Sequence, residues 1–76
     1  MSPQPCRYEI WVEQTLEDHW SQWFSDMEIV PAQGHNRNGT VLRGSLPDQA
    51  ALFGVLGRVR NLNLTLLEVR RIEEEL

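Results

Sequence analysis

The stretch LPDQAALFGVLGRVRNL, residues 46–62, contains the start, the apolar stripe and the end of one helix. Pro47 suits a first helical turn because its φ is fixed near the helical value and its missing N–H would be unpaired there. Asp48 adds a negative charge to that turn, where the helix dipole favours it. The apolar side chains recur at i, i+3, i+4 and i+7, at Leu52, Val55, Leu56 and Val59. With Asn61 as a candidate left-handed cap, the stretch predicts a core helix from Pro47 to about Asn61.

The segments on either side of this helix predict four strands and a second helix. Residues 7–14 alternate with period two and are rich in aromatic and β-branched residues, which is typical of a strand. Further strands are predicted at 27–30, 40–46 and 64–72. A helix is predicted at 15–25, and its apolar side chains at helical spacing are Leu16, Trp20, Trp23, Phe24 and Met27. We expect the three aromatic rings in this helix to lie in the core.

The order of these elements, β-α-β-β-α-β, predicts an α+β fold. Right-handed crossovers on this order give a four-stranded antiparallel sheet with strand order 4-1-3-2 and both helices on one face, the ferredoxin-like split βαβ. Residues 7–72 form the single predicted domain. Residues 1–6, with two prolines, are expected to be a flexible lead-in, and residues 73–76 an acidic, solvated tail.

Composition narrows the classes of partner and compartment. The chain has 76 residues, a formal net charge of −4, and seven basic residues against eleven acids, every basic residue being Arg. Because nucleic-acid binding needs a concentrated basic surface, this balance counts against a nucleic-acid partner. No apolar run approaches the ~20 residues of a membrane span, and the N-terminus lacks the apolar region of a secretory signal. We therefore expect a cytoplasmic protein, of bacterial type, with no membrane partner.

No residue pattern in the chain points to catalysis, a metal or a cofactor. His19 and His35 each lack a second His or Cys at metal-ligand spacing, and the single Cys6 cannot make an internal disulfide. Asp18, His19 and Ser21 are close in sequence but point in different directions on a helix, so they form no proton relay. Since no nucleophile–base pair is visible, enzyme activity is the least favoured function, and we predict no catalytic, metal or cofactor residue.

One segment resembles a recurrent pattern in small uncharacterised bacterial proteins. The resemblance covers residues 40–67: a strand ending in Gly44, the helix start Leu-Pro-Asp-Gln-Ala-Ala-Leu at 46–52, then Arg58-x-Arg60 and Leu62-x-Leu64. Because that family has no established activity, the resemblance implies no catalytic residue. Relatives often have His where this chain has Phe53, which implies that Phe53 lies on a variable flank of the helix.

The sheet face opposite the helices is the candidate functional surface. If the alternate residues Tyr8, Ile10 and Val12 face the helices, Trp11 points away from them. The same alternation leaves apolar groups surrounded by charges of both signs on that open face, which is typical of a protein–protein patch. The candidate interface residues are Trp11, Glu9, Glu13, Val41, Arg43, Leu66, Glu68 and Arg70.

The sequence therefore favours a non-catalytic protein-interaction or regulatory module. Its open sheet face would bind a second copy of the chain or another protein. The alternative is a small-molecule-binding regulatory domain of the ACT type. Its ligand would lie near the loop Gly34–Gly39 and the helix start at Asp48-Gln49, because a helix N-terminus favours anions.

Overall fold

The computed structural model describes residues 6–32 and 39–72. Within them the elements follow in the order β1 (Cys6–Val12), η1 (a 3₁₀ helix, Asp18–Phe24), β2 (Glu28–Pro31), β3 (Thr40–Leu46), α1 (Gln49–Asn61) and β4 (Leu66–Ile72). The strands form one antiparallel sheet in the order β2-β3-β1-β4. The predicted α+β class, strand order and two helices are thus confirmed. Of the lead-in predicted at 1–6, Cys6 belongs instead to β1, where it lies opposite Leu46; residues 1–5 and the tail at 73–76 lie outside the described residues.

The start and the end of α1 differ from the prediction by one or two residues. Asp48 is the N-cap and not a first-turn residue: its backbone is extended, and its Oδ1 accepts a hydrogen bond from Ala51 N–H at 2.8 Å. Pro47 therefore precedes the cap. At the other end Asn61 is still helical, and Asn63 is the left-handed residue, with φ 58°. The N–H groups of Asn63 and Leu64 donate hydrogen bonds to the carbonyls of Arg60 and Val59, as in a Schellman motif.

The first predicted helix is shorter than expected, and it is a 3₁₀ helix. The chain before it is held to β3, because Thr40 Oγ1 accepts a hydrogen bond from Leu16 N–H at 2.9 Å. The chain after it turns back through two left-handed residues, Ser25 and Asp26, with φ of 57° and 59°. Only eight residues lie between these two constraints, and η1 takes seven of them, so the helix has no length for several α-helical turns.

The core lies between the sheet and the layer formed by η1 and α1. Its buried members are Tyr8, Ile10, Val12, Phe24, Met27, Leu42, Leu46, Leu52, Val55 and Val59. Of the three aromatic rings expected there from η1, only Phe24 is fully buried. Trp20 packs half-buried against the core, and Trp23 is 38% exposed with the Arg58 guanidinium 4.7 Å from its ring centre. The prediction was wrong for Trp23, because the seven-residue helix directs that ring towards solvent at the edge of the core.

Candidate protein-interaction surface

A row of alternating charges crosses all four strands on the sheet face opposite the helices. The strand register sets Glu28 opposite Arg43, Arg43 opposite Glu9, and Glu9 opposite Arg70. Side chains directly opposite each other in an antiparallel sheet share a face. The Arg43 guanidinium lies 3.9 Å from carboxylate oxygens of both Glu9 and Glu28, whereas Arg70 pairs within its own strand with Glu68, at 3.2 Å. Because these groups are partly solvated, each pair stabilises the fold by at most about 1 kcal/mol.

An apolar row runs beside the charged one. Val30 lies opposite Val41, Val41 opposite Trp11, and Trp11 opposite Glu68 on β4. Val41 is only 5% exposed, although neither η1 nor α1 packs on this face, and Trp11 is half-buried. The apolar row is therefore largely shielded from water. The surface available to a partner is the exposed part of Trp11 and the charged side chains around it.

Six of the eight residues predicted for the candidate interface share this open face. They are Trp11, Glu9, Val41, Arg43, Glu68 and Arg70. Glu13 lies beyond the end of β1, where its N–H donates to the Thr65 carbonyl at 2.9 Å. Leu66 is placed opposite Val12, whose side chain is buried on the helix side. The placement of Leu66 on the open face was thus wrong, because the register of β4 shifts between Trp11 and Val12 and breaks the period-two alternation.

Sequence reasoning missed several members of the face, among them Glu28 and Val30. Both lie on β2, a short edge strand that ends at Pro31. The alternation of Glu28, Ile29 and Val30 was the available signal, since Ile29 lies opposite the buried Leu42 and its two neighbours therefore face away from the core.

The described residues of the open face carry equal numbers of arginines and carboxylates. Its arginines are Arg7, Arg43 and Arg70, and its carboxylates are Glu9, Glu28 and Glu68, as the register places them. A surface of this kind does not attract a polyanion, because opposite charges cancel within a few ångströms. It can form paired contacts with another protein surface of mixed charge.

Among residues 6–32 and 39–72, the exposed large apolar side chains belong to η1, α1 and β4. They are Trp23, Phe53, Leu66, Leu67 and Val69. Val69 pairs with the buried Ile10, so it lies on the helix-facing side of β4, and Leu67 is two residues before it in the chain. The two side chains nevertheless remain 37% and 39% exposed, and neither packs against the core.

The site of the alternative ligand-binding function is only partly within the described residues. At the N-terminus of α1, the Asp48 carboxylate occupies the position an anion would take, at 2.8 Å from Ala51 N. Residues 33–38 of the predicted ligand loop, including His35, lie outside the described residues.

His19 is exposed, with its Nδ1 3.3 Å from a Glu17 carboxylate oxygen. In the described parts of the chain, no group of three or more potential metal ligands comes together, and no helix is long and apolar enough to cross a membrane.

Comparison with known proteins adds one match. A family model described as a domain of unknown function, DUF8691, matches residues 7–70, which is nearly the whole chain. No curated protein and no solved structure matches.

Proposed function

The chain belongs to this family of domains of unknown function, and we propose that it acts as a non-catalytic protein-interaction module through its open sheet face. One observation carries the proposal: a half-buried Trp11 lies between charged residues of both signs on a face that neither η1 nor α1 covers. The order of elements and strands supports assigning the domain to the ferredoxin-like class. Because that class hosts many unrelated functions, the argument rests on the surface and not on the fold.

The chemistry of the face favours a folded protein as the partner. An aromatic side chain at the centre of a patch is the common anchor of protein interfaces, since it buries a large area at a small cost in conformational entropy. Arg43 lies between Glu9 and Glu28, with guanidinium nitrogens 3.9 Å from a carboxylate oxygen of each. A partner that presents carboxylates and arginines in the matching order would pair with these groups while covering Trp11.

The test is site-specific photo-crosslinking in the cells that make the protein. Ser45 is exposed at the end of β3, and its pairing with Arg7 places it on the open face. A photoreactive amino acid at Ser45 should give a discrete adduct with one protein. Gln22 is exposed on η1, on the opposite side of the sheet, and serves as the matched control position.

The adduct at Ser45 should be lost in the Trp11→Ala variant, provided that circular dichroism shows the variant folded. It should be absent from the Gln22 position. Equal adducts from both positions, or a Ser45 adduct that survives Trp11→Ala in the folded protein, would overturn the proposal.

A further inference from the structure

The two edges of the sheet differ in length and in composition. β2 has four residues and ends at Pro31, whereas β4 has seven residues with neither proline nor glycine. Among residues 6–32 and 39–72, no strand pairs with the outer side of β4. Every second residue of such an edge strand directs its N–H and C=O groups away from the sheet. β4 is therefore the edge that can accept another strand.

The helix-facing side of β4 carries the partly exposed apolar side chains of Leu66 and Val69, which pair with Val12 and Ile10, next to Arg71. Leu66, Leu67 and Val69 are 46%, 37% and 39% exposed, and none of them belongs to the core or to the partly buried residues packed against it. Phe53 on α1 is 65% exposed. It lies about 140° around the helix from Arg58, which contacts η1, so Phe53 is on the flank turned away from η1. The domain thus leaves apolar surface beside an open strand edge.

We propose that β4 pairs antiparallel with β4 of a second copy of this chain, about a two-fold axis at Val69. In this register Val69 lies opposite Val69 of the second copy. Glu68 then lies opposite Arg70 of the second copy, and Arg70 opposite its Glu68. On the other face, Leu67 lies opposite Arg71 of the second copy, whose aliphatic stem covers apolar surface. Two four-stranded sheets become one sheet of eight strands, and the apolar strips of both copies become continuous.

The charges select this register over its neighbours. A two-fold axis perpendicular to the sheet keeps the faces aligned only when a residue lies opposite its own copy. An axis at Glu68 would set two carboxylates against each other, and an axis at Arg70 or Arg71 would set two guanidinium groups against each other. Of the four residues from 68 to 71, only Val69 gives opposite charges at the directly paired positions. Like charges directly opposite each other destabilise a strand pair, so the sequence of β4 favours the axis at Val69.

The charged side chains are placed to be shared between two copies. Arg70 Nη2 lies 3.2 Å from Glu68 Oε2 in its own strand, with the two side chains 53% and 47% exposed. In the pair, each guanidinium would face one carboxylate of its own chain and one of the second copy. The alternating row Glu28, Arg43, Glu9, Arg70 would then continue with Glu68 of the second copy. This proposal does not rest on the function proposed for the open face.

The experiment measures the molar mass of the full chain by analytical ultracentrifugation from micromolar to millimolar concentration. We expect a concentration-dependent dimer for the parent protein. Glu68→Arg and Arg70→Glu should each raise the dimer dissociation constant at least about tenfold, because each sets like charges opposite each other twice. An equimolar mixture of the two variants should regain the dimer, since every cross-strand pair then has opposite signs. Glu17→Arg and Arg60→Glu make the same charge changes at exposed positions away from β4 and should leave the dimer unchanged.

Two further variants keep the test decisive if a single reversal fails to fold. Val69→Asp sets two carboxylates at the axis and should give a monomer, whereas the double variant Glu68→Arg/Arg70→Glu should dimerise like the parent. A monomeric parent at every concentration overturns the proposal. So does a dimer that neither reversal weakens, or two monomeric variants whose mixture stays monomeric. Trp11→Ala should not change the mass, and a dimer lost in that folded variant would place the contact on the open face instead.

Discussion

Replacing Thr40 by valine tests the polar junction at one end of the sheet. Thr40 is 2% exposed, and its hydroxyl makes two hydrogen bonds: it accepts from Leu16 N–H at 2.9 Å and donates to the Gln14 carbonyl at 2.8 Å. These two bonds hold the segment between β1 and η1 against β3. Valine has nearly the same shape as threonine, so the substitution removes the bonds without creating a cavity.

The expected loss of stability is about 2 kcal/mol. Each hydrogen bond contributes roughly 1 kcal/mol net, and the two backbone groups left behind would be only partly solvated, which raises the cost. The extra buried methyl group offsets part of it, by up to about 0.8 kcal/mol. For 76 residues the total stability is about 4–11 kcal/mol, so the loss is a large share of it. A domain of this size should melt about 8–16 °C lower.

The measurement is urea unfolding followed by circular dichroism, with the free energy of unfolding extrapolated to zero denaturant. Thr65→Val is the matched control. Thr65 is exposed, and its hydroxyl accepts one hydrogen bond from Gln14 Nε2 at 3.0 Å. We expect that control to cost less than about 0.5 kcal/mol, as exposed substitutions do. The reasoning is refuted if the free energy of unfolding of Thr40→Val lies within about 0.5 kcal/mol of the parent value, or is no lower than that of Thr65→Val.

Three smaller effects on the free energy of unfolding follow from α1. Gly57→Ala should stabilise the protein by about 0.5–1 kcal/mol, because nothing beyond its chain neighbours and the helix's own backbone lies within 4 Å of the added methyl group; a loss of stability would show that the helix surface there is in contact. Asp48→Ala should cost about 1 kcal/mol through loss of the cap on Ala51 N–H, and Asp48→Asn should restore most of it; equal losses would contradict a capping role. A double-mutant cycle of Arg58→Gln and Trp23→Leu should give a coupling energy of about 0.5–1 kcal/mol, and a coupling near zero would mean that the ring contact contributes nothing.

The helix α1 and the four strands could be predicted because each depends on local pattern. The apolar side chains Leu52, Val55 and Val59 are buried at the spacing the sequence gives. The strand order then follows from the order of elements and the handedness of their connections. The errors at Pro47 and Asn61 moved the helix ends by one or two residues. Such errors arise because a cap depends on which backbone groups are already paired, and the sequence does not show that.

The candidate surface was only partly predictable because exposure depends on what the helices cover. Alternation correctly grouped Trp11, Arg43 and Glu68 on one face. It could not show that Val41 is buried on that face, or that Val69 stays exposed on the other. The sequence pattern also could not predict the short length of η1. That length is set by contacts with residues far away in the chain, above all Thr40.

The register shift at the start of β4 connects the polar junction to the exposed strand edge. Gln14 accepts a hydrogen bond from Thr65 N–H at 2.8 Å, and Glu13 N–H donates to the Thr65 carbonyl at 2.9 Å, so the end of β1 anchors the chain just before β4. Next to this anchor, Val12 lies opposite Leu66 although Trp11 lies opposite Glu68, which leaves Leu67 as the extra residue. A bulge leaves its extra residue unpaired and bends the strand. The same local irregularity that moved Leu66 off the open face thus places it beside the exposed Leu67, on a strand whose outer edge pairs with no other strand of the described residues.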